Sequence, residues 1–158
     1  MYRSPSTLSE KARTTIAEQL NARLADGLDL HSQIKVAHWN IKGPQFAALH
    51  PLFETFAVGL SVHTDAIAER AVTLGAKAYG TARHVALKST LVEYPHETVK
   101  DLDHVRLLVE RFDAFLVGLR TSRDAIEELN DGDTVDLLTA VIGDFEKHSW
   151  FLRATLGE

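Results

Sequence analysis

Residues 46–74 read FAALHPLFETFAVGLSVHTDAIAERAVTL, and this stretch decides the architecture. Leu49, Phe53, Phe56, Leu60, Ile67, Ala71 and Leu74 step by three and four, the spacing of one buried helix face. On the same wheel, at roughly 100° per residue, His50, Glu54, Asp65 and Glu69 fall together within about a quarter turn, opposite the core stripe. Val58, Val62, Ala68 and Val72 lie near them, so the second face is also apolar. A helix apolar on both sides is buried on both sides. The inner stripe therefore faces the chain's own core, and the outer one is expected to pack on another subunit. His63 falls on the inner stripe and reads as a hydrogen-bonded core histidine rather than a ligand.

Working outward, glycine and proline punctuate the chain. A first helix is expected from about Leu8 to His38, with apolar spacing at Ile16, Leu20, Leu24 and Leu28 and with Ser6 or Thr7 as its cap. Asn40 to Pro44 reads as a break. The second helix runs from about Phe46 to Leu74, with Pro51 making its start uncertain: either the helix kinks there or its regular part begins near His50. Gly75 to Pro95 is a long connection holding a short helix near Thr81 to Leu87. A third long helix is expected from about Thr98 to Leu129. After the Asn130-Asp131-Gly132 turn, Asp133 or Thr134 would cap a fourth, ending near Leu156. Four long helices with one long crossover, carrying a short helix, describe an all-α, ferritin-like four-helix bundle in a single domain spanning 1–158.

Composition narrows the chemistry. With 45% hydrophobic and 25% charged residues, the 158-residue chain can bury a real core and is not of disordered type. Cysteine is absent, which excludes disulfides and thiolate catalysis. No apolar run is long enough for a membrane span and the polar start does not resemble a signal peptide, so a cytoplasmic location is expected. The net charge of -5 does not attract a polyanion.

The acids and histidines of the outer face carry the functional signal. His50/Glu54 and Asp65/Glu69 each have i,i+4 spacing, so each pair can grip one ion from one helix face. Histidine and carboxylate without cysteine suit iron, manganese or zinc, and a carboxylate-rich set leans towards iron. The pairs are centred near residues 52 and 67, about 22 Å apart along a helix, which no single metal spans. A two-fold axis near Gly59 would lay His50/Glu54 of one copy beside Asp65/Glu69 of another. Gly59 and Ser61 are small enough for a close antiparallel crossing. His38, near the end of the first helix, would join the His50 side. Two equivalent sites per dimer, each built from both chains, are expected.

AHWNIKGPQFAALHPLFE at residues 37–54 and HTDAIAERAVTLG at 63–75 resemble the Dps family, the DNA-binding proteins from starved cells or mini-ferritins. The shared pattern is His in AHWN, His twelve residues on, an acid four later, then Asp and Glu in D-x-x-x-E-R. It implies metal ligands at His38, His50, Glu54, Asp65 and Glu69. The family often has Asp where this chain has the longer Glu54. The likeness continues weakly through EYP at 93–95, DTVDLLT at 133–139 and WFL at 150–152.

The resemblance implies a hollow homo-dodecamer with an inter-subunit ferroxidase centre that oxidises Fe(II), often with hydrogen peroxide, and stores ferric mineral. It places Trp39 beside the centre as a scavenger of stray electrons; an interface packing role is the competing reading. Zinc or manganese could replace iron. Lys35, one turn before His38, could pair with an acid near the site, and His31 shares its stripe. The acids Asp124, Glu127, Glu128, Asp131, Asp133 and Asp136 occupy the region where the family builds its three-fold pores; an acidic, solvated turn is the alternative. Glu93-x-x-His96 contains a proline and is not a bundle metal motif. Many relatives bind DNA through a lysine-rich tail. Here residues 1–30 hold four basic and four acidic side chains, and no basic tail follows Leu156, so DNA binding is expected to be weak or absent, with nucleoid association left as the alternative.

Overall fold

The computed structural model describes residues 1–158. Its helices are α1 (Glu10–Asn40), α2 (Phe46–Thr73), α3 (Ala82–Lys88), α4 (Asp101–Glu127) and α5 (Gly132–Leu156). The four long ones form the bundle, and α3 sits in the crossover between α2 and α4. α1 packs most extensively on α2, and α4 on α5, so two antiparallel hairpins are joined across the core.

The inner stripe of α2 is where periodicity placed it. Leu49, Phe53, Phe56, Leu60, Ile67, Ala71 and Leu74 are all buried in one cluster with Phe112, Phe115 and Phe145 from the second hairpin. Burial of each large apolar side chain contributes roughly 1.5–3 kcal/mol. Gly27 lets α1 and α2 approach closely: a Cβ there would lie 2.7 Å from the Thr64 methyl.

Helix ends depart from expectation for local reasons. α1 is capped by Ser9, which accepts from Ala12 N–H at 3.2 Å, rather than by Ser6 or Thr7. Ser6 instead accepts from Leu8 N–H in a turn that lets Leu8 pack on the core. α2 runs unbroken from Phe46 through Pro51. The missing N–H falls near the helix start, and the proline ring is exposed there. α4 begins at Asp101, not Thr98, because Val99 and Lys100 are engaged with the α1–α2 corner. Lys42 N–H donates to the Val99 carbonyl at 2.9 Å, and Asp101 N–H donates to the Lys42 carbonyl at 3.0 Å. α5 is capped by Asp131 rather than Asp133 or Thr134, since Asn130 takes a positive φ of 59° and turns the Asp131 carboxylate onto Thr134 N–H.

The long crossover is held by buried polar groups. Asp26 accepts from Thr90 N–H at 2.7 Å, and Gln33 donates to the Val92 carbonyl at 3.1 Å. Arg111, 6% exposed, donates to the carbonyls of Val92 and Glu93. These bonds satisfy the buried side chains of Asp26, Gln33 and Arg111 and tie the loop to the bundle.

Candidate metal centre

His38 ends α1 and His50 opens α2, so the sharp corner between the helices brings the two imidazoles face to face. Their centroids are 3.8 Å apart and the rings stack within 21°. Each is bound to the other's backbone: His38 Nδ1 lies 2.8 Å from the His50 carbonyl, and His50 Nδ1 lies 2.9 Å from the His38 carbonyl. A carbonyl only accepts, so both Nδ1 atoms carry the proton. Both Nε2 atoms are left outside these bonds, and in a neutral ring so held Nε2 is the nitrogen that can ligate a metal.

Glu54 lies one turn beyond His50 on the same face. Its carboxylate is 3.5 Å from His38 Nε2 and is paired with the Lys35 ammonium. The Lys35 hydrogen bond holds the Glu54 carboxyl below the usual carboxylate range, with His38 and His31 adding smaller contributions. The expected pairing of Lys35 with an acid near the site is therefore present, and Lys35 supplies the positive charge on this side. Its ammonium also lies 5.7 Å from the centroid of Trp39, whose indole is 67% exposed. His31 is partly buried; burial lowers its pKa, Lys35 lowers it further, and Glu54 opposes.

Asp65 and Glu69 stand one turn apart farther along α2, both exposed. Within one chain no three acidic, histidine or cysteine side chains converge on a metal-sized point. The outer face between the two half-sets is apolar and open: Val58, Val62 and Val72 are 57%, 66% and 54% exposed. A Cβ built on Gly59 would meet no atom of its own chain within 4 Å. Such a stripe on a buried-length helix marks an interaction face.

The remaining candidates separate clearly. His63 is hydrogen-bonded, as expected, but half-buried rather than in the core; its Nε2 is 2.8 Å from Asp144 on α5. Asp131 is 4% exposed and accepts from Arg70 at 2.7 Å, so it locks the end of α2 to the start of α5. Of the other acids near this turn, Asp124 pairs with Arg123, while Glu127, Glu128, Asp133 and Asp136 are exposed. The Arg70–Asp131 lock and the reciprocal histidine–carbonyl bonds had no signal in periodicity. The only textual trace was the Arg that follows Glu69.

Residues 17–158 match the model of the ferritin-like domain. The chain belongs to the ferritin-like family, in its Dps branch. A DNA protection during starvation protein from Agrobacterium fabrum is 39% identical over 157 residues, covering 99% of this chain and 97% of that relative. The solved Mycobacterium smegmatis Dps superposes with a TM-score of 0.95 at 30% identity, covering all of this chain and 90% of that one. A Vibrio cholerae Dps, described as a member of a broad superfamily of ferritin-like diiron-carboxylate proteins, has a TM-score of 0.91 at 26% identity, covering 99% and 98%. The Dps fold thus covers the whole chain, α3 included. No helix is long and apolar enough to cross a membrane.

Proposed function

We propose that this Dps-branch chain is a cytoplasmic ferroxidase and iron store, assembling into a homo-dodecameric cage with di-iron sites at its two-fold interfaces. His38, His50 and Glu54 of one protomer and Asp65 and Glu69 of the next would bind Fe(II) as substrate. The observation that carries this reading is the reciprocal histidine–carbonyl lock. It leaves both Nε2 atoms free of the backbone, that of His38 lying 3.5 Å from Glu54, and His50 and Glu54 share their helix face with Asp65 and Glu69. Two imidazoles and three carboxylates fit iron well, because hard oxygen donors favour Fe(III) over Fe(II) and so promote oxidation.

In the proposed reaction two Fe(II) each give one electron to hydrogen peroxide, whose O–O bond breaks to leave two hydroxide ions, and the Fe(III) passes on as ferric mineral. With Nδ1–H held by the carbonyls, Nε2 is the nitrogen each ring would turn to iron. Glu54 would exchange the Lys35 ammonium for the arriving cation, which keeps the local charge balanced. Trp39, exposed beside His38, would give up an electron to stray oxidants. Glu127, Glu128, Asp133 and Asp136 would draw cations to a three-fold entry, while Asp131 serves the turn.

The test is anaerobic Fe(II) loading followed by peroxide, comparing the wild type with an assembled Asp65→Ala, Glu69→Ala variant. Oxidation by that variant at the wild-type rate would sink the proposal. Preferential uptake of zinc or manganese, without iron turnover, would favour a cage whose metal serves assembly.

The alternative is a DNA-compacting cage. The N-terminal arm speaks against it, since Tyr2 N–H donates to the Gly75 carbonyl at 2.6 Å and Ser4 Oγ to the Thr73 carbonyl at 2.7 Å. Arg3 is the only side-chain cation before α1. A clear, salt-sensitive gel shift of duplex DNA would restore that alternative.

A further inference from the structure

Tyr94 and His104 make a buried pair that the proposed iron chemistry does not use. Tyr94 is 2% exposed and His104 is fully buried. The phenol oxygen lies 2.6 Å from His104 Nδ1, and the rings are parallel within 9°. His104 Nε2 has no hydrogen-bond partner. A phenylalanine and a leucine would fill similar space without leaving a buried nitrogen unsatisfied, so packing alone does not account for the pair.

The pair sits under the corner that carries His38 and His50. Residues 99–101 are bonded to Lys42, Asp101 accepts from Gln45 N–H at 2.8 Å, and His104 N–H donates to the Lys100 carbonyl one turn into α4. Ile41, at the end of α1, shares the core cluster with Tyr94.

A neutral phenol that loses one electron becomes a strong acid. It holds a neutral radical only if a base at hydrogen-bond distance takes its proton, and the sole neighbour in that position is His104 Nδ1. We propose that Tyr94 is a redox-active residue and His104 its proton acceptor, together absorbing one-electron oxidants released when Fe(II) meets peroxide. The oxidant class is the hydroxyl radical, formed with hydroxide and Fe(III) from Fe(II) and hydrogen peroxide. In the first step Tyr94 gives it an electron, the radical becomes hydroxide, and the phenol proton moves to His104. In the second, another Fe(II) returns an electron to Tyr94, becomes Fe(III), and the proton goes back. The sum is one Fe(II) and one hydroxyl radical giving Fe(III) and hydroxide. Burial disfavours the charged imidazolium, which drives the proton's return, while Asp101 and Asp103 ease its transient charge. The source of the oxidant rests on the proposed ferroxidase reading; the redox pair itself does not.

The chain has three tyrosines, and Tyr2 and Tyr79 are exposed. Assembled protein loaded with Fe(II), mixed with peroxide and freeze-quenched is examined by electron paramagnetic resonance. The expected result is a tyrosyl signal that survives in Tyr2→Phe, Tyr79→Phe and disappears in Tyr94→Phe. His104→Gln keeps an acceptor but not a base, and is expected to lower the radical yield. The surface double variant does not touch the core, so the test stands even if Tyr94→Phe fails to fold. A second arm replaces iron and peroxide with a photo-oxidised ruthenium polypyridyl. A Tyr94 signal there, without iron oxidation in the first arm, would sink the ferroxidase reading and leave the redox pair standing. Normal iron oxidation with no tyrosyl signal in either arm, a signal lost in the surface double variant, or an undiminished yield in His104→Gln would overturn the pair.

Discussion

His50 offers the sharpest separation of structure from chemistry, because its two ring nitrogens have different tasks. Nδ1–H holds the His38 carbonyl, and Nε2 is the proposed ligand. His50→Ala removes both. The lost hydrogen bond contributes about 0.5–1.5 kcal/mol, and the stacking on His38 and Phe46 about as much again. The ring is only partly buried, which puts the total near the lower half of that sum, at about 1–2 kcal/mol. His50→Asn keeps an N–H donor close to the Nδ1 position but has no nitrogen that can ligate. Its stability cost should be roughly half that of alanine, since the hydrogen bond survives and the stacking does not. Metal binding should fall equally in both, and by more than the 10–100-fold loss typical of an outer-shell partner. Urea unfolding gives the first quantity, and anaerobic Co(II) or Zn(II) titration of the assembled protein gives the second. An asparagine variant that binds metal within about tenfold of wild type would refute the ligand role. Equal stability of the two variants would refute the lock.

Gly59→Leu meets no atom of its own chain near the new Cβ and replaces a poor helix former, so the protomer should stay fully helical while two-fold assembly fails; light scattering that still finds the wild-type particle would remove the crossing from Gly59. Asp131→Ala removes a helix cap and takes from Arg70 its nearest carboxylate, leaving it the Thr134 hydroxyl and the exposed Asp133 carboxylate 3.9 Å away, at a cost of about 1–3 kcal/mol in urea unfolding; a loss under about 0.5 kcal/mol would mean the contact is solvent-screened. Burial pushes the His104 and His148 imidazoles below their ordinary value of 6.5. Below about pH 6.5 the unfolded chain therefore binds protons that the folded chain refuses, so stability should fall from there down to the folded pKa values and be flat, for these groups, above pH 7. Denaturation midpoints that hold level or rise from pH 7 to pH 5 would contradict this.

The residue order of α2 determined most of the fold and half of the candidate site. Phe53, Phe56 and Leu60 on one stripe and His50, Glu54, Asp65 and Glu69 on the other are consequences of 3.6-residue periodicity, which acts within one helix and is visible in one dimension. The same arithmetic separated the two half-sets and called for a second chain. Tertiary structure decided everything that depends on where two helices meet. The His38–His50 tautomers follow from a corner between α1 and α2. The burial of Asp131 under Arg70 follows from the end of α2 reaching the start of α5. The Tyr94–His104 pair follows from the crossover folding back on α4. Hydrogen bonds between distant segments obey distance and direction in space, and no spacing along the chain encodes either.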